Sequence, residues 1–247
     1  MELNGSKVLI TGGATGIGFA LAKEFIDAGS TVLICGRRED KLKSAVARLG
    51  SAKAIRCDIS KESDRKKLYD YTESEFKDIN ILVNNAGIQR NIDLTKGEED
   101  LLKNEDEIEI NLKAQIRLTA RFIPIFMRKS SAAIINVSSG LGFVPMARFP
   151  VYSATKAAMH SFSMSLRHQL KTSSIQVFEI IPPTVYDTEL KGKPLEKTGW
   201  TLSTYEVAKA AVNGLKNNDY EIAIGPAKRW SLGSREETDA WFIDINH

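Results

Sequence analysis

Tyr152 and Lys156 stand four residues apart in the run Tyr152-Ser153-Ala154-Thr155-Lys156, and Ser139 precedes Tyr152 by thirteen residues. Positions four apart on a helix share a face, so this spacing makes a phenol and an ammonium neighbours. An unperturbed phenol has a pKa of about 10, too high for efficient acid/base work near neutral pH. A nearby ammonium favours the phenolate. A thousandfold more acidic phenol requires roughly 4 kcal/mol of differential stabilisation. The expected chemistry is proton exchange with a substrate oxygen, with Tyr152 as general acid or base and Ser139 donating to the same oxygen. Asn111, in Glu109-Ile110-Asn111-Leu112, is expected mid-helix, where asparagine is a poor former. Its two readings are a holder of a water leading to Lys156, or a surface asparagine.

A second constellation opens the chain, in Thr11-Gly12-Gly13-Ala14-Thr15-Gly16-Ile17-Gly18. Gly12 permits a tight turn, Gly16 lets the backbone approach a pyrophosphate, and Gly18 lets a helix pack close to a sheet. Thr15 and Ile17 flank the same turn. A helix starting there offers free N–H groups and a positive dipole end to phosphates. The spacing is GxxxGxG rather than the more widespread GxGxxG. Taken with Tyr152 and Lys156, it predicts hydride transfer between a nicotinamide and a carbonyl or alcohol carbon. Lys156 would also donate to the nicotinamide ribose.

Cys35-Gly36-Arg37-Arg38 ends the second strand. An NAD-selective site usually places a carboxylate near this point. Arg37 and Arg38 instead offer guanidinium forks suited to a 2′-phosphate, so NADP is expected over NAD. The alternative is that both arginines cap a solvated helix start, with Glu39 and Asp40 masking part of the charge. Asp58 ends the third strand and serves either the adenine amino group or a helix start. Asn84-Asn85-Ala86-Gly87 ends the fourth, and Asn85 suits a surface against which adenosine ribose lies.

The elements that must position these residues alternate. Strands are expected at Lys7–Thr11, Thr31–Cys35, Ala52–Cys57, Ile79–Asn84, Ala132–Ser138, Ile175–Ile181 and Tyr220–Ile224. Helices are expected at Phe19–Ala28, Glu39–Leu49, Lys61–Phe76, Glu105–Met127, Val151–Lys171 and 203–217. Most strands are continuous apolar runs, which calls for a parallel sheet covered by helices on both faces. No linker or repeat divides the chain, so one α/β domain spanning residues 1–247 is expected. Pro182–Leu202 reads as the longest irregular stretch, a functional lid or a mobile segment.

Composition narrows the function. The chain has 247 residues, is 43% apolar, and carries a net charge of +3. Charged runs at Lys61–Lys67 and Glu98–Glu109 read as solvated helix faces, and no basic stripe with interleaved aromatics suggests nucleic acid. No 18-residue apolar run predicts a membrane span, and no cationic start with an apolar stretch predicts a secretory leader. The two cysteines, Cys35 and Cys57, read as small core hydrophobes in a reducing, cytoplasmic compartment. No metal-ligand spacing occurs among the cysteines and the three histidines.

The ordered set of glycine turn, NNAG, Asn, Ser and YxxxK resembles the short-chain dehydrogenase/reductase family from Lys7 to about Ile224. The resemblance implies a Rossmann-type doubly wound sheet of seven parallel strands, NAD(P) as cofactor, and frequent homodimers or homotetramers. It places the family's catalytic tetrad on Asn111, Ser139, Tyr152 and Lys156. It places the cofactor motif on Gly12, Gly16, Gly18, Asp58 and Asn85, with Val185 a further contact, and matches Arg37 to the arginine of NADP-preferring members. One departure follows the sixth strand. The family's Pro-Gly is here Pro182-Pro183-Thr184-Val185, with Thr188 one residue later than the usual threonine. Ile180-Ile181-Pro182-Pro183, Asn84-Asn85-Ala86-Gly87-Ile88-Gln89 and Arg167-His168-Gln169-Leu170 are similar to the DltE-like oxidoreductases.

The expected substrate is a moderately apolar small carbonyl or alcohol, in a pocket lined by Leu141, Phe143, Phe149 and the 182–202 segment. Arg148 reads either as a partner for a substrate carboxylate or as a surface arginine. Small residues Ala154, Ala157, Ala158, Ser161 and Ser165 on one helix suggest a dimer contact, or close packing on the chain's own sheet. Trp230, Trp241 and Phe242 suggest a pocket cover, a subunit contact or a partner surface. The rival to an enzyme is a non-catalytic NADP-binding sensor or scaffold on the same fold.

Overall fold

The computed structural model describes residues 1–247 except 104, 189, 191–194 and 247. The apolar run β1 (Lys7–Thr11) feeds helix α1 (Gly16–Asp27), and the alternation continues through β2 (Thr31–Gly36), α2 (Glu39–Leu49), β3 (Lys53–Arg56), α3 (Glu62–Ser74) and β4 (Ile81–Asn84). A short helix α4 (Glu98–Leu102) precedes a π-helical turn (Glu109–Lys113) and α5 (Ala114–Phe126). Then come β5 (Ala132–Val137), α6 (Pro150–Gln169) and β6 (Ile175–Ile181). Two short strands, β7 (Thr184–Val185) and β8 (Thr201–Leu202), lead to α7 (Thr204–Asn217), β9 (Glu221–Ala223), α8 (Pro226–Leu232) and α9 (Arg235–Asn246).

The main sheet has seven strands in the order β3-β2-β1-β4-β5-β6-β9, and every pairing is parallel. Successive side chains of a strand face opposite ways, so a parallel sheet needs cover on both sides. In β1, Val8 and Ile10 join a core with Leu21, Phe25, Val207 and Leu215, while Leu9 joins the opposite core with Leu68, Phe122 and Phe126. Helices α1, α2 and α7 therefore cover one face, and α3, α5 and α6 the other. Strand order reverses between β1 and β4, the point where open α/β sheets form a ligand crevice at the carboxyl ends of the strands.

Polar side chains interrupt the core beneath that crevice. Asn84 and Asn136 face each other in register on β4 and β5. The Asn84 amide donates to Asn136 Oδ1 and to Thr119 Oγ1, both at 2.8 Å, and Asn136 donates to Ser163 Oγ at 2.9 Å. This chain ties α5 and α6 to the two central strands at one fixed depth, since a buried amide without partners is expensive.

Several expected elements differ. The helix expected from Glu105 to Met127 starts later and passes through the π turn, because Asn111 turns inward there rather than outward. Pro182–Leu202 is not wholly irregular, since β7 and β8 pair in parallel within it; residues 189 and 191–194 of that stretch lie outside the described residues. The charged runs are not plain solvated faces. Arg65 is buried and donates to the Ile59 carbonyl and to Glu62. Glu107 is buried and accepts from the Arg90 backbone amide at 2.9 Å. Helices α8 and α9, which sequence periodicity did not suggest, close the chain. Asn246 on α9 staples it to the segment before α6, with Nδ2 donating to the Pro145 carbonyl at 3.1 Å and Oδ1 accepting from the Ala147 amide at 2.5 Å.

Candidate active site

A cleft of about 850 Å³ opens along the carboxyl ends of the central strands. Its lining includes Gly12, Thr15, Gly16, Ile17, Gly18, Arg37, Arg38, Asp58 and Asn85 toward one end, and Ser139, Tyr152, Lys156 and Val185 toward the other. The structure thus brings together every sequence-predicted site residue except Asn111, which stands just behind the cleft wall.

The glycine turn is built for close approach. Gly12 and Gly16 have φ of +66° and +58°, a region open chiefly to glycine. Asn85 holds the turn from the neighbouring strand end, its Nδ2 donating to the Thr11 carbonyl at 2.8 Å. Thr11 completes the weld. Its Oγ1 donates to the Val83 carbonyl and accepts from the amides of Asn85 and Ala86 at 3.0 Å each. Helix α1 begins at this turn with no side-chain cap and no acidic residue in its first turn, so its positive end is left to face the cleft. Helix α7, by contrast, closes its start with a Ser203–Glu206 capping box. These features fit a pyrophosphate held by backbone amides.

Farther along, Arg37 forks onto the carboxylate of Glu105, with Nη2 donating to Oε2 at 3.1 Å. Arg38 donates to Thr15 Oγ1 at 3.3 Å. Asp58 closes a local turn, its Oδ1 accepting from the amide and hydroxyl of Ser60 at 3.1 and 2.7 Å, while the residue still lines the cleft. It does not cap α3, whose N-cap is Lys61.

At the other end, Pro150 starts α6 and puts Tyr152 and Lys156 on its buried face. Ser139 caps a 3₁₀ turn (Gly140–Gly142) after β5, its Oγ accepting from the Leu141 amide at 3.1 Å. Gly142 presses that turn onto α6. A Cβ there would stand 2.9 Å from the Lys156 carbonyl carbon and 3.0 Å from the Ala157 nitrogen. This close packing sets Ser139 against Tyr152, and only a residue without a side chain permits it.

The electrostatics differ from expectation. Burial pushes the Tyr152 phenol up to about 12; the Ser139 hydroxyl opposes this and the Glu107 charge adds to it. Burial pushes Lys156 down to about 8, against the pull of Glu179. The Lys156 ammonium lies 5.5 Å from the Tyr152 ring centroid and donates to the Val137 carbonyl at 2.7 Å. Burial is therefore the largest influence on the phenol and moves it opposite to the expected direction.

Asn111 is fully buried, which removes the surface reading. Its Oδ1 accepts from the Ile88 amide at 2.9 Å and its Nδ2 donates to the Ile88 carbonyl at 2.8 Å and to Thr155 Oγ1 at 3.3 Å. Thr155 in turn donates to the Tyr152 carbonyl at 2.7 Å. Asn111 thus bonds the strand segment after β4 to the helix that carries Tyr152, rather than facing Lys156 directly. Its π turn supplies the inward direction, since such turns re-aim one residue within a helix. Sequence reasoning missed Thr11, Gly142, Thr155 and Glu105. The one local signal available was for Gly142, a glycine three residues past Ser139 in the strand-end turn.

Of the residues expected to shape the substrate pocket, Leu141 lines the cleft. Phe149 packs into a small cluster with Leu141 and Tyr152, and Phe143 meets His160 at a tilt with centroids 4.7 Å apart; neither is part of the lining. Arg148 lies over the Phe149 ring at 4.7 Å, away from the cleft. Trp230 covers the pocket: it lines the cleft and rests on Gly140, where a Cβ would come within 2.7 Å of its ring. Trp241 instead packs under Arg229 at 4.5 Å, and Phe242 is exposed. Among the described residues no group of His, Cys, Asp and Glu has the makings of a metal site.

Comparison with known proteins agrees with the fold. The profile of the short chain dehydrogenase family matches residues 6–199. The uncharacterized oxidoreductase DltE of Bacillus subtilis is 43% identical over 249 residues, covering all of this chain and 98% of the relative. A short-chain dehydrogenase from Sphingobium yanoikuyae in complex with NADPH superposes with a TM-score of 0.80 at 27% identity, over 98% of this chain and 96% of that one. A short chain dehydrogenase/reductase from Burkholderia phymatum in complex with NAD has the same fold, with a TM-score of 0.81 at 22% identity, over 98% of this chain and 96% of that one.

Proposed function

This chain belongs to the short-chain dehydrogenase family of oxidoreductases, and on that premise we propose that it is an NADP(H)-dependent reductase of small carbonyl compounds, with Tyr152 as the general acid. The observation that carries this reading is one continuous cleft with a phosphate-accepting glycine turn and two arginines at one end, and Ser139, Tyr152 and Lys156 at the other. Arg37 and Arg38 favour the 2′-phosphorylated cofactor over NAD, and the NADPH held by the Sphingobium relative fits that choice.

A bound NADPH supplies hydride to the substrate carbon; the protein's task is the oxygen. Ser139 donates to the carbonyl oxygen and orients it toward the phenol. Tyr152, protonated at neutral pH because burial holds its pKa near 12, gives its proton to that oxygen as negative charge develops there. Lys156 holds positive charge beneath the phenol and donates to the cofactor's ribose. Asn111, through Thr155, fixes the helix register that aims the phenol. A phenol with a pKa of about 12 is present as the acid at neutral pH but is a reluctant donor, so proton transfer depends on the Ser139 hydroxyl and the Lys156 charge to stabilise the phenolate left behind.

The two core clusters share one sheet, which supports a single domain over residues 1–247. The buried, free cysteines Cys35 and Cys57 suit a cytoplasmic location; no described helix is long and apolar enough to cross a membrane. Ala154, Ala157, Ser161 and Ser165 are exposed on α6 rather than packed on the sheet, which supports a homodimer or homotetramer through that helix. The deciding experiment follows NADPH and NADH absorbance against a panel of aldehydes and ketones. Turnover with NADPH supports the assignment. Binding of NADPH with no turnover of any carbonyl favours the sensor or scaffold role.

A further inference from the structure

The Arg37 fork already holds an anion of the chain's own. Both Nη atoms of Arg37 meet the two carboxylate oxygens of Glu105, a two-point geometry that a phosphate would also use. Arg37 and Glu105 both line the cleft, as does Arg38. The Arg37 backbone is held in place as well, its carbonyl accepting from Arg56 Nε at 3.3 Å.

Glu105 is delivered to this point by a braced segment. Arg90 Nη1 donates to the Glu105 carbonyl at 2.7 Å, and Arg90 Nη2 donates to the carbonyls of Asp100 and Leu101 at 2.9 and 3.1 Å. The Arg90 amide donates to the buried Glu107. One arginine thus ties Asp100, Leu101 and Glu105 together and sets the Glu105 carboxylate across the cleft from β2. The pair is about two-fifths exposed on each side, so the contact is of a strength that a ligand can displace.

We propose that Glu105 is a specificity-determining residue: its carboxylate competes with the ribose 2′-phosphate of the cofactor for the Arg37 fork. The inference rests on the NADP reading given above. A 2′-phosphorylated dinucleotide must release Glu105 from Arg37 before it takes the same two donors, whereas a dinucleotide with a free 2′-hydroxyl leaves the pair intact. Glu105 thereby narrows the preference that Arg37 creates, and cofactor arrival frees the Glu105 carboxylate from the β2 side of the cleft.

Titration calorimetry tests this without turnover, using NADPH, NADH, adenosine 2′,5′-bisphosphate and 5′-AMP on the intact chain. Glu105→Gln and Glu105→Ala should each tighten NADPH and the bisphosphate about three- to tenfold, with NADH and 5′-AMP within twofold of wild type. Adding Arg37→Ala to Glu105→Gln should erase the gain, because the competition acts through that fork. Unchanged or weaker bisphosphate binding in both Glu105 variants overturns the proposal, and so does weaker NADH binding, which would make Glu105 the acceptor of the 2′-hydroxyl. If Arg37→Ala weakens NADPH while the Glu105 variants do nothing, the competition alone is wrong. If wild type binds NADH more tightly and Arg37→Ala leaves NADPH unchanged, the cofactor reading itself fails.

Discussion

The ammonium of Lys156 lies 5.5 Å from the centre of the Tyr152 ring yet gives its hydrogen bond to the Val137 carbonyl, 2.7 Å away. Both side chains are buried, and burial moves them in opposite directions, the phenol up to about 12 and the ammonium down to about 8. The pair is therefore set up with a neutral phenol beside a cation that is expensive to keep.

That expense is measurable. The fall of Lys156 from 10.5 to about 8 corresponds to roughly 3 kcal/mol held against the charged form. Losing its bond to Val137 costs about 1 kcal/mol. Lys156→Met should therefore be more stable than wild type by about 1–2 kcal/mol at pH 7, while losing carbonyl reduction. The folded pKa lies below the unfolded one, so the unfolded chain binds more protons between them and wild-type stability rises there. The variant's advantage should be full below pH 8 and fade toward pH 10.5. A variant less stable than wild type at pH 7 in thermal melts would show that the hydrogen bond dominates.

The same two values set the pH dependence of activity. Tyr152 stays protonated throughout the neutral and mildly alkaline range, so reductive kcat/KM should be level up to about pH 8. It should then fall as Lys156 loses its charge. Alcohol oxidation, which needs the phenolate, should rise over the same interval. A reductive limb below pH 7 would place the phenol's ionisation far lower than burial allows.

How much of this was legible in the sequence depends on whether the signal was local. Strand β1, the glycine turn and α2 follow from apolar runs and glycine placement, and Glu39–Leu49 matches the expected helix to the residue. Tyr152 and Lys156 share a face because helical spacing requires it. Their burial does not follow from spacing, and burial reversed the expected direction of the phenol. Arg37 was visible as a cation after β2, but its partner Glu105 lies 68 positions away, and nothing local announces such a pairing. Glu179 is similar: a carboxylate within an apolar strand, whose partner His160 comes from α6 at 2.8 Å.

That pair, a buried carboxylate and a partly exposed imidazole, gives a stability test. His160 is raised above 6.5, first by its hydrogen bond to Glu179. A raised folded value contributes stability that is complete below pH 6.5 and is lost as pH climbs through the folded value. His160→Gln keeps a donor for Glu179 but removes the charge. Wild type should therefore exceed this variant most below pH 6.5, with the gap in melting temperature closing as pH rises above that value. A gap that widens with rising pH would mean that the neutral imidazole is the stabilising form.

Gly142 links packing to chemistry. Because a Cβ there meets backbone atoms of Lys156 and Ala157, Gly142→Ala must push α6 away from the turn that carries Ser139. The expected loss is about 1–3 kcal/mol of stability, with kcat reduced more than NADPH affinity. Wild-type kcat in a folded Gly142→Ala protein would mean that the turn is free to adjust.

The most direct measurement is turnover by Tyr152→Phe beside NADPH binding by the same protein. Loss of the phenolic proton should lower kcat for carbonyl reduction by about 10²–10⁴-fold, with the dissociation constant for NADPH unchanged within about twofold, since the ring and its packing remain. Reduction at the wild-type rate by a protein lacking that hydroxyl would contradict Tyr152 as the proton donor.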